Sequence, residues 1–303
     1  MHDAFVYSSD DEFRTGALPF LEEGIELGEP ILAAPTEENA RLLRRQLGHH
    51  ADSVDWAENA EAHGAVERLG IFLDYIERRV AEGASRVRLL GEPCWPPHAG
   101  PGVAEWKRYE SFLNVALASH PVWLVCPYDG MRLSPDIVDD ARLTHPNWGH
   151  GEHRTPSADY LEPEAFADRL DSVPLPAPPE AAADAYFARA SVVRRFVRER
   201  ASSAGLPEDT RRDAELATGE VAANVFRHAA LVARVRTWTT PETFVCEIGD
   251  TGRGIDDPFA GYEIAKPTAE AGRGLMIARR VADVIEIRST PAGSVVRMHF
   301  RRD

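Results

Sequence analysis

Between positions 171 and 180 the chain reads Asp-Ser-Val-Pro-Leu-Pro-Ala-Pro-Pro-Glu, with four prolines inside six residues. Proline brings no amide hydrogen and locks φ, so this stretch can enter neither a helix interior nor a central strand and favours extended polyproline II backbone. A chain of 303 residues already carries a prior of two domains. The proline run sets the division: one domain over 1–170, a semi-rigid spacer over 171–182, and a second domain over 183–303.

Charge narrows the classes further. Lysine and arginine number 34 against 49 acidic residues, a formal charge of −15. Such a surface repels nucleic-acid phosphates and anionic membranes before contact. No apolar run approaches the roughly 18 residues needed to span a bilayer. The opening Met1-His2-Asp3-Ala4-Phe5 lacks a basic segment followed by an apolar one, so secretion is not expected. Cys94, Cys126 and Cys246 are odd in number, far apart and without a CxxC pair. They are expected as reduced, buried small hydrophobes in a cytoplasmic protein. Secreted, membrane, collagenous and zinc-ribbon classes are excluded on these grounds.

The first domain alternates short β-type runs with amphipathic stretches. Strands are expected at 4–7, 30–34, 54–57, 87–90 and 122–125. Helices are expected from the capping box Ser9–Glu12 to about Leu27, and over 36–47, 65–82 and 105–119. This β-α-β-α order implies an α/β sandwich with a mostly parallel sheet. In the second domain, helices are expected over 181–201 and 208–230, strands over 233–239 and 243–248, then a Gly-rich stretch, a helix over 275–283 and strands over 284–289 and 294–301. Partial segregation of helices and strands suggests a two-layer α/β sandwich with a mixed sheet.

Glu220, Asn224 and His228 recur every four residues on the second of these helices and so form one polar stripe, spanning about 12 Å at 1.5 Å per residue. That length matches a triphosphate with its metal. Ala217, Val221, Val225 and Ala229 supply the adjoining apolar face. After a strand comes Asp250-Thr251-Gly252-Arg253-Gly254: a carboxylate at the strand end can accept from an exocyclic amine, and the glycines let backbone approach a flat ring. Gly272-Arg273-Gly274-Leu275 opens a helix, where successive amides and the positive helix end favour a phosphate.

These three segments, in this order, resemble the GHKL (Bergerat-fold) ATP-binding domains of gyrase, histidine kinases and anti-sigma-factor kinases. The N box is 220–229, the G1 box 250–254 and the G2 box 272–275; the resemblance covers 183–303. It implies ATP and Mg²⁺ as cofactors, with Asn224 on the metal and Arg227 and His228 in the same box. It further implies Asp250 on the adenine amine, Gly252 and Gly254 near the base, and Gly272, Arg273, Gly274 and Leu275 at the phosphates. Among anti-sigma serine kinases the N-box glutamate, here Glu220, is the base that activates a partner serine. The short segment from Ile255 to Ala271 and the ending Gly293 to Phe300 look like that branch. A histidine kinase would carry a dimerising hairpin with a phospho-accepting histidine, whereas 181–201 holds no histidine.

The first domain resembles the MEDS sensory domains, a RecA-like α/β group. The carrying residues are 2–7, the helix to Gly28-Glu29-Pro30, Gly91-Glu92-Pro93, 105–110, Cys126-Pro127-Tyr128-Asp129 and Thr144-His145-Pro146. No GxxxxGK[ST] occurs, so phosphate-loop hydrolysis is not supported. The resemblance implies sensing of a small organic molecule, for which Trp95, Trp106, Tyr109, Trp123 and Tyr128 offer an aromatic lining with Glu92 as its polar group; core packing accounts for the same aromatics at least as well. His145, His150 and His153 cluster in a Gly-containing segment and read as solvated loop histidines rather than a metal site.

Together these features imply an anti-sigma-type regulator that binds ATP, phosphorylates a STAS-domain anti-sigma antagonist on Ser or Thr, and sequesters a sigma factor. Direct nucleic-acid or membrane partners are not expected, and a homodimer is left open. A non-catalytic module using ATP only as a conformational ligand is the alternative.

Overall fold

The computed structural model describes residues 1–57, 64–95, 100–228, 231–262 and 273–302, with residues 152 and 228 described in their backbone alone. It divides into two compact units, Met1–Ala99 with Trp106–Phe166, and Gly100–Glu105 with Ala167–Asp303. No helix among the described residues is long and apolar enough to cross a membrane.

In the first unit, β1 (His2–Tyr7), α1 (Asp10–Glu26), β2 (Ile31–Ala34), α2 (Glu37–Leu47), β3 (Asp55–Trp56), α3 (Ala65–Ala81), β4 (Val87–Gly91), α4 (Pro101–Ala116, from Trp106 onward) and β5 (Val122–Asp129) follow in order. Next come α5 (Pro135–Thr144), β6 (Asn147–Trp148) and β7 (Thr155–Pro156). The sheet order is β3-β2-β4-β5-β1-β6-β7; every pairing is parallel except β6 with β7. The expected mostly parallel α/β sandwich is therefore what forms. Ser9 Oγ accepts the Glu12 amide at 3.2 Å and starts α1, while the Glu12 carboxylate reaches back to the amide of Ser8 at 2.7 Å. Phe13, Ala17, Phe20 and Leu21 of α1, with Leu43 and Leu47 of α2, pack on Phe5, Ile31, Ala33, Leu90 and Val125. Alternate residues point to the opposite face, which takes α3: Gly91 leaves room there for Phe72 and Leu124. Connections from β1 through β3 run toward one edge and those from β3 through β6 toward the other. The C-terminal ends of β2 and β4 therefore flank a topological switch point, where α/β sheets bind ligands.

The second unit comprises α6 (Pro163–Asp171) in its greater part, β8 (Ala183–Phe187), α7 (Ala190–Ser203), α8 (Glu208–His228), β9 (Ala233–Thr239), β10 (Thr243–Gly249), α9 (Arg273–Val281), β11 (Val284–Thr290) and β12 (Gly293–Arg301). Its sheet order is β11-β12-β10-β9-β8, and every pairing is antiparallel. Two expectations are corrected here. The helix expected over 181–201 is a strand followed by a helix: Ala183, Ala185 and Phe187 alternate with the more exposed Asp184 and Tyr186, and that period of two pairs with β9 instead of coiling. The mixed sheet is wholly antiparallel because its chain order proceeds through hairpins (β9–β10, β11–β12) and one added edge strand.

Val193 and Val197 of α7, Ala217, Val221 and Val225 of α8, and Leu275 and Ala278 of α9 pack on Val235, Phe244, Cys246, Ile248, Val296, Met298 and Phe300. The other sheet face carries a row of charge across five strands. Asp184 faces Arg236, Arg236 faces Glu247, Glu247 faces Arg297, and Arg297 faces Glu286. Arg297 also donates to the Pro176 carbonyl at 2.8 Å, and Arg288 to that of Val173 at 2.8 Å. The proline run, which forms neither helix nor strand, is thereby tied to this sheet.

Candidate functional site

Helix α8 puts Glu220 and Asn224 one turn apart and half-buried, above the core residues Ala217 and Val221. Helix α9 packs against this stretch, and its second residue is Gly274. A Cβ on Gly274 would stand 2.9 Å from Asn224 Nδ2, 3.2 Å from Asn224 Oδ1 and 3.2 Å from Glu220 Oε2. Two segments fifty residues apart in sequence thus converge on one spot, and a side chain at 274 would displace the ends of Asn224 and Glu220. Arg227 lies exposed on the following turn and Arg273 is half-buried at the first position of α9. Leu275 is buried in the core behind. Gly272 and the side chain of His228 lie outside the described residues.

The strand-end carboxylate is held from two sides. Asp250 Oδ1 accepts the Gly252 amide at 2.7 Å and Oδ2 accepts the Ser294 hydroxyl, while the Asp250 amide donates to the Ser294 carbonyl at 2.9 Å. Asp250 remains half-exposed, so a carboxylate lone pair can still meet a ligand's amine. Gly254 has φ +82, and a Cβ there would lie 2.3 Å from the Thr290 carbonyl oxygen; the next amide, of Ile255, donates to Ser289 Oγ at 2.6 Å. The β11–β12 hairpin end therefore shapes the loop 250–255. Ser289 is a supporting residue that local sequence did not mark, and Gly293 and Ser294, which lie in the ending that resembles the anti-sigma branch, gain this role only through partners some forty residues away. Gly293 has φ +137, and a Cβ there would fall 2.1 Å from the Asp250 carbonyl oxygen, a backbone atom. Gly293→Ala is expected to destabilise the second unit by about 1–3 kcal/mol and to displace Asp250. Urea denaturation of the full chain reads the first effect; a variant with the parent's midpoint would show that the turn relaxes at no cost.

Oxygen donors from an amide and a carboxylate suit a hard cation such as Mg²⁺ rather than a soft one. Gly274 in the first turn of α9 brings the N-terminal, positive end of that helix to the same spot. The residues present are chemically compatible with a magnesium–triphosphate group: Asn224 offers an amide oxygen that a hard cation could use, and Asp250 a carboxylate that a ligand's amine could meet.

In the first unit, Glu92 sits buried beside the switch point. Its carboxylate accepts from the Tyr7 hydroxyl at 2.7 Å, the Thr36 amide at 2.7 Å and Asn39 Nδ2 at 2.9 and 3.0 Å. Burial and this carboxylate push the Tyr7 hydroxyl pKa upward. Trp95, Trp106, Tyr109 and Tyr128 form a contiguous aromatic group, with ring centroids 6.4 Å apart for Trp95–Trp106, 6.1 Å for Trp95–Tyr128 and 5.2 Å for Trp106–Tyr109. Among the described residues, the Tyr109 and Tyr128 hydroxyls and Trp95 Nε1 are buried without a hydrogen-bond partner. Burial raises both tyrosine pKa values well above the ordinary one. Trp123 does not join them. It points to the other sheet face, against Phe20 and under the Arg88 guanidinium, because it is odd in a strand whose even residues Leu124, Cys126 and Tyr128 face the group. A groove of about 440 Å³ lined by Leu32, Trp56, Ile71, Tyr75 and Arg78 includes none of these aromatics.

The solvated histidine cluster is also corrected. His145 is fully buried, its ring 4.1 Å from that of His2, while His150 packs edge-on to Phe5 at 5.3 Å. His2 and Phe5 differ in parity along β1, so His145 and His150 lie on opposite faces of the sheet.

Comparison with known proteins agrees with this division. Residues 1–146 match the MEDS family, the methanogen/methylotroph, DcmR sensory domain. Residues 183–300 match the histidine kinase-like ATPase domain. The chain joins a MEDS domain to a C-terminal ATPase domain of GHKL type. No curated protein sequence matches it. Among solved structures, the RsbU and RsbW domains of Rv1364c from Mycobacterium tuberculosis are 14% identical with a TM-score of 0.29, over 40% of this chain and 33% of that one. The histidine kinase domain of the Erythrobacter litoralis EL346 blue-light activated histidine kinase is 18% identical with a TM-score of 0.27, over 46% and 60%. The mycobacterial sensor histidine kinase MprB is 16% identical with a TM-score of 0.27, over 40% and 97%. The chain thus spans between a third and three fifths of the first two.

Proposed function

We propose that the second unit binds Mg·ATP and that the chain is an anti-sigma-type regulator: it phosphorylates a STAS-domain antagonist on Ser or Thr and sequesters a sigma factor. The N-terminal domain, bounded as 1–170 with 171–182 as the linker to 183–303, senses a small organic ligand. The observation that carries the nucleotide assignment is the meeting of the Glu220 and Asn224 side chains with Gly274 in the first turn of a helix. The kinase subgroup is supported by the brevity of 255–271 and by a stretch before the domain that holds no histidine. Three buried, unpartnered donors among the aromatics support the sensory assignment, because such groups are stabilised when a ligand or water completes them.

Bound Mg·ATP would supply the transferable phosphoryl group. Asn224 orients the metal side, the amides of the first turn of α9 hold negative charge, and Asp250 fixes the base. Glu220 stands within one turn of Asn224, placed to take the proton of an incoming serine hydroxyl. Incubating the full chain with Mg·ATP and a STAS-domain antagonist from the same genome is expected to yield a phosphoserine or phosphothreonine product. Glu220→Gln is expected to lower transfer by about 100-fold or more while Mg·ATP binding stays within a few-fold. Binding without transfer to any antagonist would instead establish the non-catalytic module.

A further inference from the structure

We propose that the first unit holds a structural transition-metal ion, Zn²⁺ or a neighbouring first-row divalent cation, ligated by His2, Glu110, Cys126 and His145. The four residues come from β1, α4, β5 and the C-terminal end of α5, and all are buried. One ligand-type atom from each lies within 4.8 Å of every other. Cys126 Sγ is 3.5 Å from His2 Nε2, and His145 Nε2 is 3.5 Å from Glu110 Oε2. A tetrahedral ion with bonds of about 2.0–2.3 Å sets its ligands roughly 3.3–3.6 Å apart, so these two edges already have their final length.

The ring orientations point the same way. Asn114 Nδ2 donates to the carbonyls of Ser111 at 3.2 Å and Thr144 at 2.7 Å, which leaves its Oδ1 as the acceptor for His2 Nδ1 at 3.0 Å. His145 Nδ1 faces the Ala141 carbonyl at 2.8 Å, a group that only accepts. Both imidazoles therefore carry their proton on Nδ1 and turn the bare Nε2 lone pair inward, the arrangement in which an outer acceptor fixes a metal-bound histidine. Among the described residues, His145 Nε2 and Glu110 Oε2 make no hydrogen bond. A lone pair facing a carboxylate oxygen in a dry interior is repulsive, and a cation between them removes the repulsion. One thiolate with two imidazoles and a carboxylate selects zinc-like ions over Mg²⁺ or Ca²⁺. Four protein ligands leave no open position for water, so the role is to tie two strands and two helices together, not catalysis.

The test uses the full, untagged chain purified without chelator. Elemental analysis is expected to find about one zinc per chain. After removal of the metal, Co²⁺ titration is expected to produce a thiolate-to-cobalt charge-transfer band with intense tetrahedral visible bands. Cys126→Ser is expected to lose the charge-transfer band. Asn114→Ala, outside the ligand set, is expected to weaken metal binding by about 10–100-fold while circular dichroism stays unchanged. A chain that is metal-free as purified and gives no tetrahedral cobalt spectrum would overturn the proposal, whatever the variants do. An unaltered charge-transfer band in Cys126→Ser would overturn the ligand assignment.

Discussion

Glu247→Ala is expected to destabilise the second unit by about 3–5 kcal/mol, because it strands a buried guanidinium. Glu247 is 1% and Arg297 4% exposed. Arg297 donates to Glu247 Oε2 through Nε at 2.9 Å and Nη2 at 2.6 Å, and Arg236 donates to Oε1. Removing the carboxylate leaves two positive groups facing each other across the sheet with no counter-charge between them. Typical domain stabilities are about 5–15 kcal/mol, so a loss of this size takes a large share of the total. Replacing Arg236, Glu247 and Arg297 together by apolar residues of similar volume should restore most of it, since the desolvation cost of all three charges then disappears. Urea denaturation of the parent, single and triple variants measures both; a single variant within 1 kcal/mol of the parent would mean that water already reaches Arg297.

The second large effect concerns the nucleotide. Asn224→Ala removes the carboxamide oxygen offered to the metal, and Gly274→Val places carbon atoms where Asn224 and Glu220 now converge. Each is expected to weaken Mg·ATP binding by about 100-fold, or roughly 2.7 kcal/mol. Gly274→Val should weaken ATP without magnesium as well, because it fills the cradle. Asn224→Ala should have little effect when magnesium is absent. Equal losses for both variants under both conditions would show that Asn224 acts by packing.

The parts of the site that sequence alone displays are those with a local period. Spacing by four puts Glu220 and Asn224 on one face of any helix, and a carboxylate followed by alternating glycines after a strand marks a loop whatever the surroundings. The mostly parallel character of the first sheet is legible for a similar reason, as alternating β and α segments imply crossover connections, whereas the strand order is not. What stays hidden is set by contacts between distant segments. Ser294 and Gly293 hold Asp250 from another hairpin, and nothing in the ending 293–300 announces that contact. The edge strand Ala183–Phe187 escapes because Ala-Asp-Ala-Tyr-Phe suits a helix as well as a strand until β9 is there to pair with it. His2, Glu110, Cys126 and His145 come from four elements and meet only once the sheet has formed; the tempting neighbours His150 and His153 share a segment with His145 but not its side of the sheet.

Titration calorimetry of Mg·ATP into the intact chain, with Asp250→Ala alongside, bears most directly on the nucleotide assignment. Saturable one-to-one binding to the parent and its loss in the Asp250 variant, with both proteins equally folded by circular dichroism, is the result expected. Heat no greater than dilution from a folded parent, or undiminished binding by the variant, would contradict it.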